Sequence, residues 1–296
     1  ALAGDVLDML KEDVGYFTAF DYPPVSSTLD IGGNLEVTPP TDEHPFGRVY
    51  YGSDESTDTR FTYIKREINE GFQRFFERQE LQSPINLTTD WLIVGHVDEL
   101  VTFVPQPDGG MKMLISSPAL ALKILRAEDA SHPLNSRYRD AYGLLTVGQM
   151  LSRKYPALGL NAVELNMAVD EKLFGLDHSS PSDGSVKKIF MDALGLEESD
   201  IIEVPVFYQN FDFKAAQFSV IAQTPALVNL HCMERDMLVP RPFIPSIAAD
   251  FEEAMKETNM KIHWIDDWQI YHVADGEIHC GSNSRRGFFD KKWWNN

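Results

Sequence analysis

The chain has 296 residues, 43% hydrophobic and 24% charged, a composition that folds and can bury a sizeable apolar core. Its 45 acidic and 26 basic side chains leave a formal net charge of −19, which argues against nucleic acid or an anionic membrane as partner, because both require a basic footprint. A cationic substrate or a metal cation suits this charge better, and no apolar run approaches the roughly 20 residues that span a bilayer.

The opening Ala1-Leu2-Ala3-Gly4 has neither a basic start nor a long apolar run, so it does not read as a signal peptide, and the missing initiator Met suggests a trimmed or partial chain. The first fifty residues read as strands and turns, with Pro-Pro pairs at 23–24 and 39–40 and a tight Gly32-Gly33-Asn34 turn. From Lys65 to Glu80, Ile68, Phe72, Phe75 and Phe76 fall on one face of a helix. Strand-like runs follow at 91–95, 100–104 and 111–116, the last two joined by a hairpin turn at 107–110. Helical patterns cover 118–127, 143–154, 161–174 and 185–195, and another lies near 247–258. Further strands are expected at 201–207, around 226–232, at 261–265 and at 270–279. With no Gly-x-Gly-x-x-Gly or P-loop signature, the class is α/β or α+β without a nucleotide-binding Rossmann unit.

Two segments could carry chemistry. In Gly95-His96-Val97-Asp98-Glu99, a strand running on from residue 95 would project His96 and Asp98 from one face, an imidazole beside a carboxylate able to move a proton and hold a cation. A structural histidine at a strand end is the competing reading. In Gly276-Glu277-Ile278-His279-Cys280-Gly281, Cys280 sits among polar residues where a strand gives way to a loop, a setting for a nucleophilic thiol. Cys232 reads as a core residue, and a Cys232–Cys280 disulfide stays open for an exported protein. His96, Asp98, His279 and Cys280 could also be read as metal ligands, but zinc is disfavoured, since the Cys-x-x-Cys and His-x₃-His spacings are absent. Asn86-Leu87-Thr88 is an N-glycosylation sequon, which leaves both a cytoplasmic and a secreted location open.

Taken together, several segments resemble the peptidylarginine deiminases. They are Gly33-Asn34-Leu35-Glu36-Val37-Thr38-Pro39-Pro40, Pro45-Phe46-Gly47-Arg48, Asp90-Trp91-Leu92-Ile93-Val94-Gly95-His96-Val97-Asp98-Glu99 with Phe103-Val104-Pro105, and Leu194-Gly195-Leu196 with Glu198 to Ile202. Gly276 to Asn283 and the ending Lys292-Trp293-Trp294-Asn295 complete the set, in family order from about residue 15. Gly-His-Val-Asp and Ile-His-Cys are also similar to agmatine deiminases, whereas Asn-Leu-Glu-Val-Thr-Pro-Pro and Trp-Trp-Asn point to the peptidylarginine branch.

The resemblance implies a pentein fold, an α/β propeller of repeated ββαβ-type modules around a pseudo-five-fold axis, and hydrolysis of peptidyl arginine to citrulline and ammonia. It implies Cys280 as the thiolate that attacks the guanidinium carbon, His96 as acid and then base, and Asp98 as one guanidinium-binding carboxylate. It further implies Ca²⁺, with Gly32 and Leu35 giving carbonyls and Glu36 a carboxylate; the plain alternative is a β-turn ending in an exposed Glu. The family's second guanidinium-binding Asp, in a Trp-x-x-Asp segment, and its backbone-binding arginines find no match before Gly15. The expectation is therefore that residues 1–296 are a catalytic domain lacking its N-terminal part, with an incomplete first module, and that the chain associates with its own upstream segment and with arginine-containing peptides or proteins. A small-molecule guanidine deiminase acting on agmatine or free arginine, and a catalytically silent arginine-binding fragment, are the alternatives.

Overall fold

The computed structural model describes residues 27–53, 58–63, 66, 68–78, 82–107, 109–212 and 216–282. The opening Ala1-Leu2-Ala3-Gly4, the Pro-Pro pair at 23–24, Asn283 and the ending Lys292-Trp293-Trp294-Asn295 lie outside them.

Three sheets repeat one topology. In each, two antiparallel strands are followed by a helical crossover to a third strand lying parallel to the second. The first sheet has β1 (Leu35–Val37), β2 (Val49–Ser53) and β3 (Ile85–Thr88), with α1 (Glu70–Glu77) in the crossover. The second has the hairpin β4 (Val101–Pro105) and β5 (Met111–Ser117), then a long crossover containing α2 (Pro118–Ala127), α3 (Ser136–Tyr142), α4 (Val147–Leu151), the short ladder β6 (Lys154–Tyr155) and β7 (Leu160–Asn161), α5 (Ala162–Phe174) and α6 (Val186–Leu194). It returns to β5 as β8 (Ile201–Pro205). After the pair β9 (Tyr208–Asn210) and β10 (Val220–Ala222), the third sheet forms from β11 (His231–Met233), β12 (Asp236–Pro240) and β13 (Lys261–Ile265), with α7 (Pro245–Ala254) in its crossover. Antiparallel strands accept a tight hairpin and parallel strands demand a crossover, so each unit follows from chain connectivity. The chain is thus mixed α/β with several small sheets, and none of them closes on itself among the described residues.

Local chemistry sets the helix ends. Ser117 accepts the Leu120 N–H and Pro118 occupies the first turn of α2, where a missing N–H costs nothing. Asn161 and Glu164 form a reciprocal capping box at the start of α5. On the inner side of α5, Leu165, Val169 and Leu173 recur every fourth residue, all fully buried. Between them Asn166 brackets Tyr208, accepting its N–H and donating to its carbonyl, which docks β9 on the helix.

One large apolar cluster joins most of these elements around Trp91, Tyr138, Phe190, Phe207, Phe251 and Trp268. A second, small cluster of Leu29, Tyr51, Ile68 and Phe76 lies under α1.

Three expectations are corrected. Residues 91–95 form no strand, although Trp91 and Leu92 are buried as their apolarity suggests. Arg66 donates to the carbonyls of Leu92, Ile93 and Val94 at 2.6, 2.5 and 2.8 Å, so a side chain takes acceptors that a neighbouring strand would otherwise use. Residues 270–279 are also not a strand: the amides of Ile270, Tyr271 and His272 all turn back to the Asp267 carbonyl, and a short 3-10 turn follows at His272–Ala274. Finally, 143–154 is not one helix. Gly143, at φ 71°, ends α3 in the left-handed conformation, and Thr146 caps a separate α4.

Candidate active site

The catalytic candidates come together from distant parts of the chain, though not by the route expected. His96 and Asp98 do not share a strand face. His96 instead precedes the 3-10 turn Val97–Glu99, its N–H bonded to Glu99 Oε1 at 3.0 Å. The two side chains nevertheless converge on Gly33. A Cβ at that position would meet His96 Nδ1 at 2.5 Å and Asp98 Oδ2 at 2.9 Å, distances that real Cβ atoms do not tolerate. Only glycine fits here, and it lets the 32–34 turn close over both groups.

His96 Nε2 lies 2.7 Å from the Thr28 carbonyl, which can only accept, so Nε2 carries the proton and Nδ1 is left to exchange one. Asp98 is the hub of the cluster. Its Oδ2 accepts from His279 Nδ1 at 2.9 Å and lies 3.6 Å from Cys280 Sγ, while its Oδ1 is buried with no hydrogen-bond partner among the described residues. On its far side, His279 Nε2 stands 3.5 Å from Glu36 Oε1.

Cys280 is presented by a turn rather than a strand end. That turn is braced from behind: Glu277 accepts the Ala226 N–H at 3.1 Å and pairs with His272 Nδ1 at 2.7 Å, and His272 Nε2 meets Tyr142 OH at 2.8 Å. The Asp267 carboxyl near this brace is pushed up to about 7, chiefly by burial and then by Glu277. In front, the Asn229 amide contacts both the backbone and the sulfur of Cys280. A cleft of about 280 Å³, including its part open to solvent, runs past Cys280 between Asn229, Glu99, Glu277 and Asp275.

The electrostatics are acidic throughout. Burial, then the Asp98 charge, lifts the Glu99 carboxyl to about 8, so it carries its proton at neutral pH. Partial burial and the same Asp98 charge push the Cys280 thiol well above its ordinary value, even though the residue as a whole is exposed. The thiol is therefore protonated until a positive charge arrives.

Cys232 and Cys280 form no disulfide with each other. The residues suggested for calcium supply little of a shell. Gly32 O already accepts the Leu35 N–H, Glu36 faces His279, and among the described residues no group of three or more His, Cys, Asp or Glu could hold a metal. Calcium takes six to eight oxygens, so these residues alone do not fit it.

Sequence reasoning missed Asn229, Gly33, Glu277 and Thr28 as parts of the site, and weighed His279 only as a zinc ligand. Asn229 left one trace: an amide between Val228 and Leu230 in a run otherwise fit for the core, the kind of polar residue that needs a buried partner.

The sequence pattern of the protein-arginine deiminases matches residues 5–295. Over 97% of its length the chain is similar to protein-arginine deiminase type-3 of Rattus norvegicus, at 33% identity, and to the type-4 and type-1 enzymes of Homo sapiens, each at 31%. It spans 42% of the length of each of these relatives. The chain belongs to the protein-arginine deiminase family.

Proposed function

We propose that this chain carries the cysteine, histidine and one carboxylate of a centre that hydrolyses peptidyl arginine to peptidyl citrulline and ammonia. The observation that carries the reading is the Asp98 carboxylate: Oδ2 stands 3.6 Å from Cys280 Sγ while Oδ1 is buried and has no partner among the described residues. A guanidinium is planar, permanently charged and an obligate donor, so it can bond the idle oxygen while its central carbon lies near the sulfur.

The same contact explains the order of events. Without substrate, Asp98 holds the thiol proton on; a bound guanidinium offsets that charge and lets the proton leave. The sulfur of Cys280 then bonds to the guanidinium carbon. His96, having taken the thiol proton at Nδ1, delivers it to one terminal nitrogen, the carbon–nitrogen bond breaks, and ammonia departs, leaving a thiouronium on Cys280. Deprotonated, His96 takes a proton from water as its oxygen adds to the same carbon. Collapse breaks the carbon–sulfur bond, freeing the ureido product and the sulfur. The sum is one water consumed and one ammonia released.

A second carboxylate on the guanidinium, the peptide-binding groups and most oxygens of any calcium shell would come from outside the described residues, in keeping with association between this chain and an upstream segment. The pentein arrangement belongs to this reading, and the thrice-repeated sheet topology supports it.

The experiment is a citrulline assay on the complete protein, offering blocked peptidyl arginine and agmatine separately. Cys280→Ser is expected to abolish product without moving the thermal midpoint, and Cys232→Ser to stay active. Turnover by Cys280→Ser above a few per cent would defeat the proposal, and preference for agmatine would move it to small-molecule guanidines.

A further inference from the structure

We infer that Asn229 is a positioning residue for the reaction: its side-chain amide holds Cys280 in place and stabilises the sulfur once the proton has left. The inference rests on Cys280 being the nucleophile of the proposed function.

Asn229 is 1% exposed and stands at the end of the Ala226–Asn229 turn, far in sequence from the cysteine. Both ends of that turn are tied to the cysteine loop. The Ala226 N–H reaches Glu277 Oε1 at 3.1 Å, and the Asn229 carbonyl accepts the His279 N–H at 3.4 Å. From the hairpin side, Thr102 Oγ1 holds the Val228 carbonyl at 2.6 Å. The amide is thus placed by backbone it does not itself control.

Its orientation follows from its neighbours. Oδ1 faces the Cys280 N–H at 3.3 Å, a group that can only donate, and Nδ2 faces the Asp98 carbonyl at 3.2 Å, a group that can only accept. An amide flip would break both bonds at once, so the assignment is fixed by chemistry. With that orientation set, Nδ2 presents its N–H to Cys280 Sγ at 3.3 Å.

The sulfur therefore meets a different partner in each of its states. As a thiol it can donate to Asp98 Oδ2 at 3.6 Å or to Asn229 Oδ1 at 3.5 Å; as a thiolate it must accept. Of these two neighbouring side chains only Asn229 can then donate, because Asp98 repels the new charge. The other titratable groups facing the sulfur are acids or are engaged with them. Glu99 lies on the 3-10 turn, Glu277 on the cysteine loop, and His279 is held between Asp98 and Glu36 of β1. An uncharged donor lowers the energy of the thiolate without competing with the substrate cation for Asp98, which a lysine or arginine at the same place would do.

The test reads the thiol directly and needs no turnover. Alkylation of Cys280 by iodoacetamide is followed by mass spectrometry of its peptide, from pH 6 to 11, in the wild-type chain, Asn229→Ala and Asn229→Asp. In Asn229→Ala the rising alkylation curve should be displaced to higher pH by roughly one to two units, the scale of a hydrogen bond to a charged group. At pH 8 that appears as a fall in alkylation rate of about tenfold or more. Asn229→Asp, which sets a second carboxylate against the sulfur, should shift further. Superimposable profiles for folded variants, or a downward shift in Asn229→Asp, would overturn the inference.

Should circular dichroism show Asn229→Ala unfolded, the decision passes to wild-type protein labelled with ¹⁵N at asparagine. The Asn229 side-chain resonance should titrate with the same midpoint as Cys280 alkylation, and a resonance that stays still refutes the role. Failure of the proposed function is a separate outcome, seen as turnover by Cys280→Ser with the alkylation profiles still dependent on Asn229.

Discussion

Two histidines in this protein each stand between two carboxylates, and their surroundings differ in one respect. His178 meets Glu203 Oε1 at 2.8 Å and Asp170 Oδ2 at 2.7 Å, and the remaining oxygens are taken as well, by Ser117 Oγ on Glu203 and the Ala119 N–H on Asp170. Lys187 adds a further cation behind it, bonded to the His178 carbonyl. His279 meets Asp98 and Glu36 in a similar way, yet Asp98 Oδ1 has no partner among the described residues and both neighbours, Glu99 and the Cys280 thiol, keep their protons. The first cluster has every carboxylate oxygen hydrogen-bonded by its own surroundings and ties α5, β8 and the start of α2 to one loop. The second leaves one carboxylate oxygen without a partner among the described residues, which makes it receptive to a cation.

The sharpest way to break this contrast is to remove the Asp98 charge. Asp98→Asn in the complete protein should lower citrulline formation by several orders of magnitude, because a neutral amide neither offsets the guanidinium nor accepts both of its hydrogen bonds. Wild-type turnover would reassign the guanidinium seat.

Gly33→Ala tests geometry without touching charge. A methyl group there overlaps His96 and Asp98, so the 32–34 turn or both side chains must move; a loss of activity of about a hundredfold is expected, since displacements near 1 Å cost that much. The accompanying destabilisation, about 1–3 kcal/mol, is that of an overpacked site and can be read by urea unfolding.

His178→Gln should do the reverse, with stability reduced by about 1–3 kcal/mol at pH 6. Burial alone would lower the imidazole, but the bonds to Asp170 and Glu203 outweigh it and raise it above its usual value. A raised folded-state value stabilises fully below the unfolded value near 6.5 and loses that contribution as pH climbs through the folded one. Asp170, raised chiefly by burial, slopes the same way. The gap between wild type and variant should therefore shrink from pH 6 to 9. A gap that widened would mean the histidine is held neutral.

The smallest effect belongs to Glu99→Gln, which mimics the protonated acid and can still accept the His96 N–H. Because Glu99 titrates near 8 in the fold and about 4.3 when unfolded, the native state binds the extra proton between those values and wild-type stability falls as pH rises through them. The variant should match wild type in thermal midpoint at pH 4 and pull ahead of it progressively from pH 5 to 9.

Much of this was legible in the sequence, and the remainder was hidden for identifiable reasons. The helices over 118–127, 161–174 and 185–195 announce themselves through local caps and apolar spacing, and the structure has them within a residue or two. The strands expected at 91–95 and 270–279 fail because apolarity reports burial and not the partner of the backbone. In one case Leu92 makes a single parallel bridge with Val220 and Arg66 takes the carbonyls of 92–94; in the other the partner is the Asp267 carbonyl. At the site, His96, Asp98 and Cys280 stand in short recognisable segments. Gly33 and Asn229 matter only through contacts with residues 63 to 65 and 51 positions away, a pairing that no local pattern contains.

The small cluster under α1 has a kinetic consequence. Native proteins open piecewise, and layers with few buried apolar side chains open first. Leu29, Ile68 and Phe76 form such a layer, distinct from the main cluster, and the carbonyl that fixes the His96 tautomer belongs to Thr28, immediately before Leu29. Excursions of this layer therefore unlock the imidazole, letting its two nitrogens exchange roles while the cysteine loop, anchored in the larger cluster through Tyr142 and His272, stays closed. Amide hydrogen exchange would register this as faster labelling around residues 28–35 than around 226–230, so that the proton carrier would flicker on a clock of its own, separate from the nucleophile.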